Sequence, residues 1–473
     1  MLAQHISQLI NRYFIYEPTN SQQELIKGFG EFLISHDNED VLMVKGFAGT
    51  GKTWIVSALV KALAELGIKT VLMAPTGRAA KVFGTYANQT AYTIHKVIYR
   101  QKTSGSEAGA FSLNWNKSRD TIFIIDEASM ISNSSFEYSI FGSGRLLDDV
   151  LDYIYQGDNC KLIVIGDTAQ LPPVGLDQSP ALDKELWKLM GYNIIEYFLD
   201  EVIRQSAESG ILFNATLLRE YMSTDVVDMN VPELNVSGYS DIHCISGEEL
   251  IELISGSFDQ YGIENSVVIC RSNKRASMYN KGIRNSILML EEEITSGDYL
   301  LVVKNNYFWT EKNKEIEFIA NGDIAKIVRI NGYEEMYGYR FANVTLSFSD
   351  YNFLEIDVKI ILDVLSLDTP GFSKAQNDQF YKIVMEDYTD IKSKRKQFEE
   401  LKKNPYFNAL QVKYGYALTC HKSQGGQWNS VFIDQGLVKD EEKNMEYMRW
   451  LYTAITRATD NVYLINFPKN QIK

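Results

Sequence analysis

Eight consecutive residues, Gly46-Phe47-Ala48-Gly49-Thr50-Gly51-Lys52-Thr53, set three glycines ahead of a Lys-Thr pair. Glycines at this spacing let backbone amides turn inward around phosphate oxygens. A helix that opens at the Lys adds a dipole favourable to negative charge. Lys52 then reaches the β and γ phosphates of a nucleotide, and the Thr53 hydroxyl suits magnesium. A second group, Asp126-Glu127-Ala128-Ser129, follows the apolar run Ile122-Phe123-Ile124-Ile125. A carboxylate that ends a buried strand beside a phosphate loop suits the same metal, and the adjacent Glu127 suits activation of an attacking water. The paired carboxylates favour hydrolysis over phosphoryl transfer to a small metabolite. A third string, Gly166-Asp167-Thr168-Ala169-Gln170-Leu171-Pro172-Pro173-Val174, also ends an apolar run and brings Gln170 toward the γ-phosphate or the lytic water.

These groups meet only if the strands that carry them lie side by side. Continuous apolar runs at 41–44, 70–74, 122–125 and 162–165, separated by helical stretches, predict a parallel sheet covered on both faces. The pattern returns at 266–269, 430–433 and 461–465, so the expected fold is α/β with two such domains. Between them, strand-like runs at 299–303, 316–319, 324–330, 339–348 and 354–362 predict a small barrel, with Asn305-Asn306, Asn321-Gly322 and Asn331-Gly332 as turns. A charged stretch at about 373–403, with Lys392, Lys394, Arg395 and Lys396, reads as a solvated helix face. An irregular insert at about 96–120 surrounds Phe111.

The composition narrows the class. The chain has 473 residues, 45% hydrophobic and 23% charged, which excludes disorder and collagen-like scaffolds. No apolar run approaches the roughly 20 residues of a membrane helix, and the first residues lack a signal-peptide pattern. Four scattered cysteines without a CxxC pair argue against disulfides and structural zinc, and make the cytoplasm the expected location. The net charge of −14 counts against a generally basic nucleic-acid surface but permits a local channel.

Further strings fall in order along the chain. They are Thr19-Asn20-Ser21-Gln22, Ala74-Pro75-Thr76-Gly77-Arg78-Ala79-Ala80, Thr93-Ile94-His95, Asp200-Glu201-Val202-Ile203-Arg204-Gln205, Ala417-Leu418-Thr419-Cys420-His421-Lys422-Ser423-Gln424-Gly425 and Tyr452-Thr453-Ala454-Ile455-Thr456-Arg457-Ala458. Together with the three strings above, this series resembles the superfamily 1 DNA helicases of the RecD/Dda-like branch, and it spans nearly the whole chain.

The resemblance implies two RecA-like P-loop NTPase domains with a small β-hairpin pin and an inserted SH3-like β-barrel. The expected boundaries are 1–198 for the first motor, with the pin at about 96–120. The second motor takes 199–297 and 410–473, and the barrel with its helical segment takes 298–409. It further implies an ATP-dependent, 5′→3′ DNA helicase that uses ATP and Mg2+. Implied catalytic residues are Lys52, Glu127, Gln170 and the arginine fingers Arg204 and Arg457. Gln22 would read adenine. Gly46, Ala48, Gly49, Thr50, Gly51, Lys52 and Thr53 would hold phosphates, with Thr53 and Asp126 at the metal, and Gln424 and Gly425 would couple nucleotide to DNA. Pro75, Thr76, Thr93, His95, Thr419 and His421 would contact single-stranded DNA through hydroxyls and backbone amides. Phe111 is placed near the pin tip, while Tyr307, Phe308 and Trp309 read as barrel core and rim. The implied partners are single-stranded DNA and single-strand/duplex junctions, with a monomeric motor and a single-strand-binding, replication or repair protein beside it. Two alternatives stay open: an RNA or RNA–DNA helicase of the same superfamily, and a DNA-stimulated ATPase that translocates or remodels without unwinding.

Overall fold

The computed structural model describes residues 2–473 except 36, 38, 102–110, 135–141, 202–207, 224–230, 312–315 and 317. Its strands are numbered along the chain. Those of the first half are β1 (Asp40–Gly46), β2 (Lys69–Ala74), β3 (Ala91–Thr93), β4 (Tyr99–Gln101), β5 (Phe111–Leu113), β6 (Thr121–Ile125), β7 (Lys161–Gly166) and β8 (Asn193–Leu199). Six of them form one sheet in the order β3-β2-β6-β7-β1-β8, and every pairing in it is parallel. The central strands β6 and β7 are buried along their whole length. Alternation explains the two covered faces. Leu42, Val44, Ile163 and Ile165 join one core with helix Lys52–Glu65, while Val41, Met43, Leu162 and Val164 join another on the far side.

The second half contributes β9 (Ile242–Ile245), β10 (Ser266–Cys270), β16 (Ala417–Thr419), β17 (Trp428–Asp434) and β18 (Ala458–Ile465). These form a second parallel sheet, β16-β10-β17-β18-β9. In the first sheet the loops that carry the chemistry leave the carboxyl ends of the strands, where an open α/β sheet exposes its crevice; in the second, Thr419 ends β16 while Arg457 immediately precedes β18.

Between β10 and β16 the chain builds a closed barrel from β11 (Tyr299–Val302), β12 (Ile324–Met336), β13 (Tyr339–Phe348), β14 (Leu354–Ile361) and β15 (Leu410–Tyr414). Three details depart from the sequence reading. The run at 316–319 is not a barrel strand: Ile319 makes only an isolated bridge to Asn306, while Ile316 and Ile319 are buried as core. Closure comes instead from β15, antiparallel to β11 and parallel to β14, which the sequence reading counted with the second motor. Likewise Asn331-Gly332 is not a turn but a register shift inside the long β12. The turn lies at Tyr337-Gly338, where both residues have positive φ as a tight hairpin requires. The charged stretch forms helices Lys374–Met385 and Lys394–Lys403, which close one end of the barrel through Phe380, Val384 and Leu401. Lys392, Lys394, Arg395 and Lys396 face solvent.

The barrel also touches the first motor. Lys81 on helix Gly77–Ala87 donates to Ser349 O at 2.5 Å, and a Cβ on Gly77 would lie 2.6 Å from the Tyr351 hydroxyl. Gly77 is therefore a point of close approach that a larger residue would push apart.

Candidate nucleotide cleft and nucleic-acid face

The phosphate loop is shaped by Gly49 and Gly51, both in the left-handed region at φ 77° and 79°. Lys52 Nζ donates to the carbonyls of Gly46 and Phe47, each at 2.7 Å, so the ammonium is held over the loop. Thr50 Oγ1 donates to Phe47 O at 2.8 Å. Thr53 stands in the first turn of helix Lys52–Glu65, and Trp54 beside it is half-exposed. Gln22 is anchored to the phosphate loop. Its side chain is buried at 1% exposure, Nε2 donates to Thr50 O at 2.9 Å and Oε1 accepts from Thr19 N at 3.0 Å. It completes the cap of helix Asn20–Ile34 and props the phosphate loop, and its amide keeps a second N–H and a second lone pair.

Asp126 and Glu127 follow β6. Asp126 Oδ1 accepts from Glu127 N at 2.8 Å. Withdrawal from solvent, with Glu127 next to it, pushes the Asp126 carboxyl up to about 7, against the opposing pull of that amide and of Lys52. Glu127 sits at φ 52°, a left-handed conformation rare for a side chain of its size.

The two sheets are bonded directly across the cleft. Tyr452, fully buried, accepts from Ala48 N at 2.8 Å and donates to Asp167 Oδ2 at 2.7 Å. Thr453 Oγ1 accepts from Leu171 N at 2.9 Å, and Gln424 Nε2 donates to Leu171 O at 2.7 Å. Arg457, 4% exposed, holds Nε on Thr453 O at 3.1 Å and brings Nη1 to 3.9 Å from Glu127 Oε1. Arg457 thus faces Glu127 from the opposite sheet. Gln170 is buried beside Asp167. Gly425, at φ 73°, leaves no room for a Cβ: one built there would lie 2.8 Å from Ala79 Cβ and 3.0 Å from Thr76 Oγ1. Arg204 lies outside the described residues. Its neighbour Glu201 accepts from Ser21 N at 2.8 Å.

Sequence reasoning missed Tyr452 and Thr453 as bridging residues. The signal was present, since a tyrosine within the apolar stretch Trp450-Leu451-Tyr452 of that helix needs a partner for its hydroxyl once buried.

The candidate DNA residues occupy strand ends at the neighbouring edges of the two sheets. Thr76 and Thr93 cap helices Gly77–Ala87 and Ile94–Ile98, accepting from Ala79 N at 3.2 Å and Lys96 N at 3.3 Å. Each hydroxyl proton remains to donate. Pro75 precedes Thr76, while Thr419 and His421 lie where β16 passes into helix Cys420–Ser423. Burial pushes His95 down to about 4 and lowers His421, so both imidazoles are neutral at pH 7 and contribute no positive charge. The positive charge is elsewhere. Lys422 and Lys413 line one cavity with Thr419, and burial lowers each to about 8; Lys422 and Lys281 add to the effect on Lys413. Lys422 was quoted in its string but assigned no role. Phe111 is not at a free tip. It pairs with Gln101 in the β4–β5 ribbon, and its ring centroid lies 4.2 Å from that of Tyr307 in the barrel. The residues that join β4 to β5, 102–110, lie outside the described set. Trp309 Nε1 donates to Asn408 O at 2.8 Å, a rim contact.

The chain is similar to known proteins. A family model described as an AAA domain matches residues 20–229, and one described as a UvrD-like helicase C-terminal domain matches 414–465. The ATP-dependent DNA helicase dda of Enterobacteria phage T4 is 24% identical over 448 residues, 89% of this chain and 93% of that protein. The ATP-dependent RecD2 DNA helicase of Deinococcus radiodurans is 23% identical over 435 residues, again 89% of this chain but 46% of the relative. Among solved structures, the Pif1 helicase from Bacteroides in complex with ADP-AlF3 and ssDNA aligns with 97% of this chain and 95% of its own, at 15% identity and a TM-score of 0.47. One family model thus covers the phosphate-loop half, a helicase model covers the strings at 417–425 and 452–458, and the chain is similar along most of its length to helicases of the RecD and Dda kind.

Proposed function

We propose that this protein is an ATP-dependent DNA helicase that hydrolyses ATP between its two sheets, moves 5′→3′ on single-stranded DNA and separates the duplex ahead of it. The observation that carries the reading is the bonded path across the cleft, from Ala48 N through Tyr452 to Asp167, with Arg457 beside Glu127. Lys52 and the amides of residues 46–51 hold the phosphates. Glu127 takes a proton from the water that attacks the γ-phosphorus, and Gln170 orients that water. Arg457, joined by Arg204, neutralises charge that develops as the γ-phosphoryl group departs. Because Arg457 approaches from the other motor, hydrolysis proceeds only when the two sheets are closed.

The donor set fits magnesium. Asp126 is a carboxylate withdrawn from solvent and short of counter-charge, one helix away from the Thr53 hydroxyl. No cluster of three His, Cys, Asp or Glu occurs among the described residues, as expected where phosphate oxygens and water complete the shell. Bound Mg2+ supplies Lewis-acid polarisation of the phosphates and the positive charge that Asp126 lacks. Gln22 would read adenine, and half-exposed Trp54, edge-on to Tyr16 at 5.7 Å and to Tyr86 at 6.0 Å, offers an aromatic face beside the phosphate loop.

On the DNA face, Thr76, Thr93 and Thr419 donate to phosphates and Lys422 adds charge. The grip of the first motor is linked to that of the second where Gly425 meets Thr76. The β4–β5 ribbon, braced on the barrel by Phe111 and Tyr307, stands as the wedge. No helix among the described residues is long and apolar enough to cross a membrane.

The test is strand separation on a partial duplex with ATP and magnesium, comparing a 5′ tail with a 3′ tail. Unwinding with the 5′ tail alone is the expected result. DNA-stimulated hydrolysis without unwinding from either tail overturns the helicase reading and leaves a translocase or remodeller. Equal stimulation by RNA and DNA overturns the choice of DNA.

A further inference from the structure

Eight buried side-chain atoms among the described residues have no hydrogen-bond partner, and three of them line one cleft: Ser129 Oγ, Gln170 Oε1 and Nη1 of Arg219. Buried polar atoms are ordinarily paired, so three orphans in one place mark a position for a polar guest. The cleft encloses about 340 Å3, enough for a small oxyanion with water. Phe47 of the phosphate loop forms one wall and Gln170, read above as orienting the attacking water, lines it too, which ties the space to the hydrolytic side of the nucleotide cleft. Its floor comes from the first motor. Its far side comes from the second, through Arg219 on helix Gly210–Ser223 and Arg449 on helix Met445–Ile455.

The lining is chosen for an anion. The Arg219 guanidinium lies over the Phe47 ring, 4.6 Å from its centroid, a stack that fixes the plane while leaving N–H edges free. Lys45 and Arg449 add positive charge, tempered by their own partners: Lys45 pairs with Glu196 at 2.5 Å and Arg449 donates to Asp177 O. The carboxylate of the cleft, Asp167, is occupied by Tyr452 and by Ala169 N.

We propose that this cleft is a holding site for the inorganic phosphate cut from ATP, with Arg219 as its counter-ion. The inference rests on the ATPase reading above and extends it to the product. In hydrolysis, water oxygen bonds to the γ-phosphorus, the bond to the β–γ bridging oxygen breaks, and the water proton leaves through Glu127. The products are ADP and hydrogenphosphate. The Ser129 hydroxyl and Arg219 donate to phosphate oxygens, and Gln170 Oε1 accepts from the P–OH group. Because the walls come from both motors, the phosphate stays while the sheets are closed and leaves when they part. That couples product release to the reopening that moves DNA.

The experiment uses the full chain with single-stranded DNA. Inorganic phosphate is titrated against DNA-stimulated ATPase and, by calorimetry, into the ADP-loaded protein. Cleavage is followed separately in a single turnover by rapid quench. In Arg219→Gln we expect the phosphate inhibition and dissociation constants to rise about tenfold or more, the scale of a lost charged hydrogen bond, with cleavage changed less than about twofold. Arg219→Lys, which keeps charge but not the fork, falls between; it also serves where Arg219→Gln lowers the melting temperature. Slowed cleavage with unchanged phosphate constants overturns the proposal, because Arg219 then acts on the transition state. Unchanged cleavage and unchanged phosphate constants overturn it too, leaving the orphans to water. A wild-type protein that binds phosphate but never cleaves ATP sinks the ATPase reading instead.

Discussion

The cleft between the motors and the face that carries the candidate DNA contacts are built from similar parts: loops and helix ends that adjoin the strands of the two parallel sheets. They differ in where their polar groups are bonded. In the cleft, Tyr452, Thr453 and Gln424 reach from one sheet to the backbone or carboxylates of the other. On the DNA face, Thr76 and Thr93 are bonded within their own helices, to Ala79 N and Lys96 N. The first region registers whether the two motors are together. The second is preset in each motor and changes only by moving as a body. A ratchet needs this division. Grips that stay formed in both states hold the strand, while contacts that exist in one state alone decide which grip advances.

The widest separation of the two regions comes from the chemistry itself. Glu127→Gln should lower DNA-stimulated hydrolysis by about a hundredfold to ten-thousandfold while single-strand affinity stays within a factor of about two. A parallel loss of DNA binding in a fluorescence anisotropy titration breaks the comparison. Next is Tyr452→Phe, which leaves Ala48 N and Asp167 without their bridging hydroxyl. Each deserted buried group costs about 1–3 kcal/mol. The variant should lose hydrolysis about tenfold or more and lose unwinding further, because the missing contact reports closure. Gly425→Ala tests the point where the regions touch. A methyl 2.8 Å from Ala79 Cβ and a left-handed backbone at φ 73° together cost about 1–3 kcal/mol. Steady-state kinetics should show a raised DNA concentration for half-maximal stimulation, with the unstimulated rate retained.

The legibility of the molecule followed the range of its interactions. Both parallel sheets were readable because strands covered on two faces need unbroken apolar runs, as at 41–44 and 430–433. The phosphate loop, Asp126 and Glu127 were readable because their chemistry needs fixed residue types at fixed spacing. The barrel was half readable. Its closing strand, Leu410–Tyr414, lies about fifty residues beyond β14, and no local pattern announces which partner it will find. Asn331-Gly332 misled because the same dipeptide suits a turn and a bulge, and only cross-strand register decides. The sequence did not announce that Gln22 also props the phosphate loop, because that bond to Thr50 O forms only once helix Asn20–Ile34 packs beside it. Arg219 had no signal at all, since its meaning comes from Phe47 and from orphans more than forty residues away in the chain.

A smaller effect belongs to the wedge. Phe111→Ala removes a ring whose partner Tyr307 sits on the barrel, a loss of about 0.5–1.5 kcal/mol. Unwinding of a tailed duplex should fall a few-fold while hydrolysis stimulated by single-stranded DNA is unchanged. Tyr307→Ala should reproduce the defect, since the two rings brace one ribbon, and a defect in only one of them assigns that residue to the DNA.

The smallest effect sharpens the DNA face through pH. A phosphate contact through histidine would weaken as pH rises through the ordinary imidazole range near 6.5. Here His95 is already neutral there, because burial holds it near 4. Lys422 has the opposite consequence. Burial lowers its ammonium to about 8, and a bound phosphate favours the protonated form, so strand binding takes up a proton once free Lys422 has begun to lose its own. Affinity for single-stranded DNA should therefore be flat between about pH 5.5 and 7 and decline above about pH 8, by a few-fold if the contact is worth about 1 kcal/mol. Lys422→Arg keeps its charge throughout that range. It should abolish the decline without changing affinity at pH 7, whereas a decline that persists in the arginine variant removes Lys422 from the strand's path and shifts the titration to Lys413, whose ammonium is lowered to the same range.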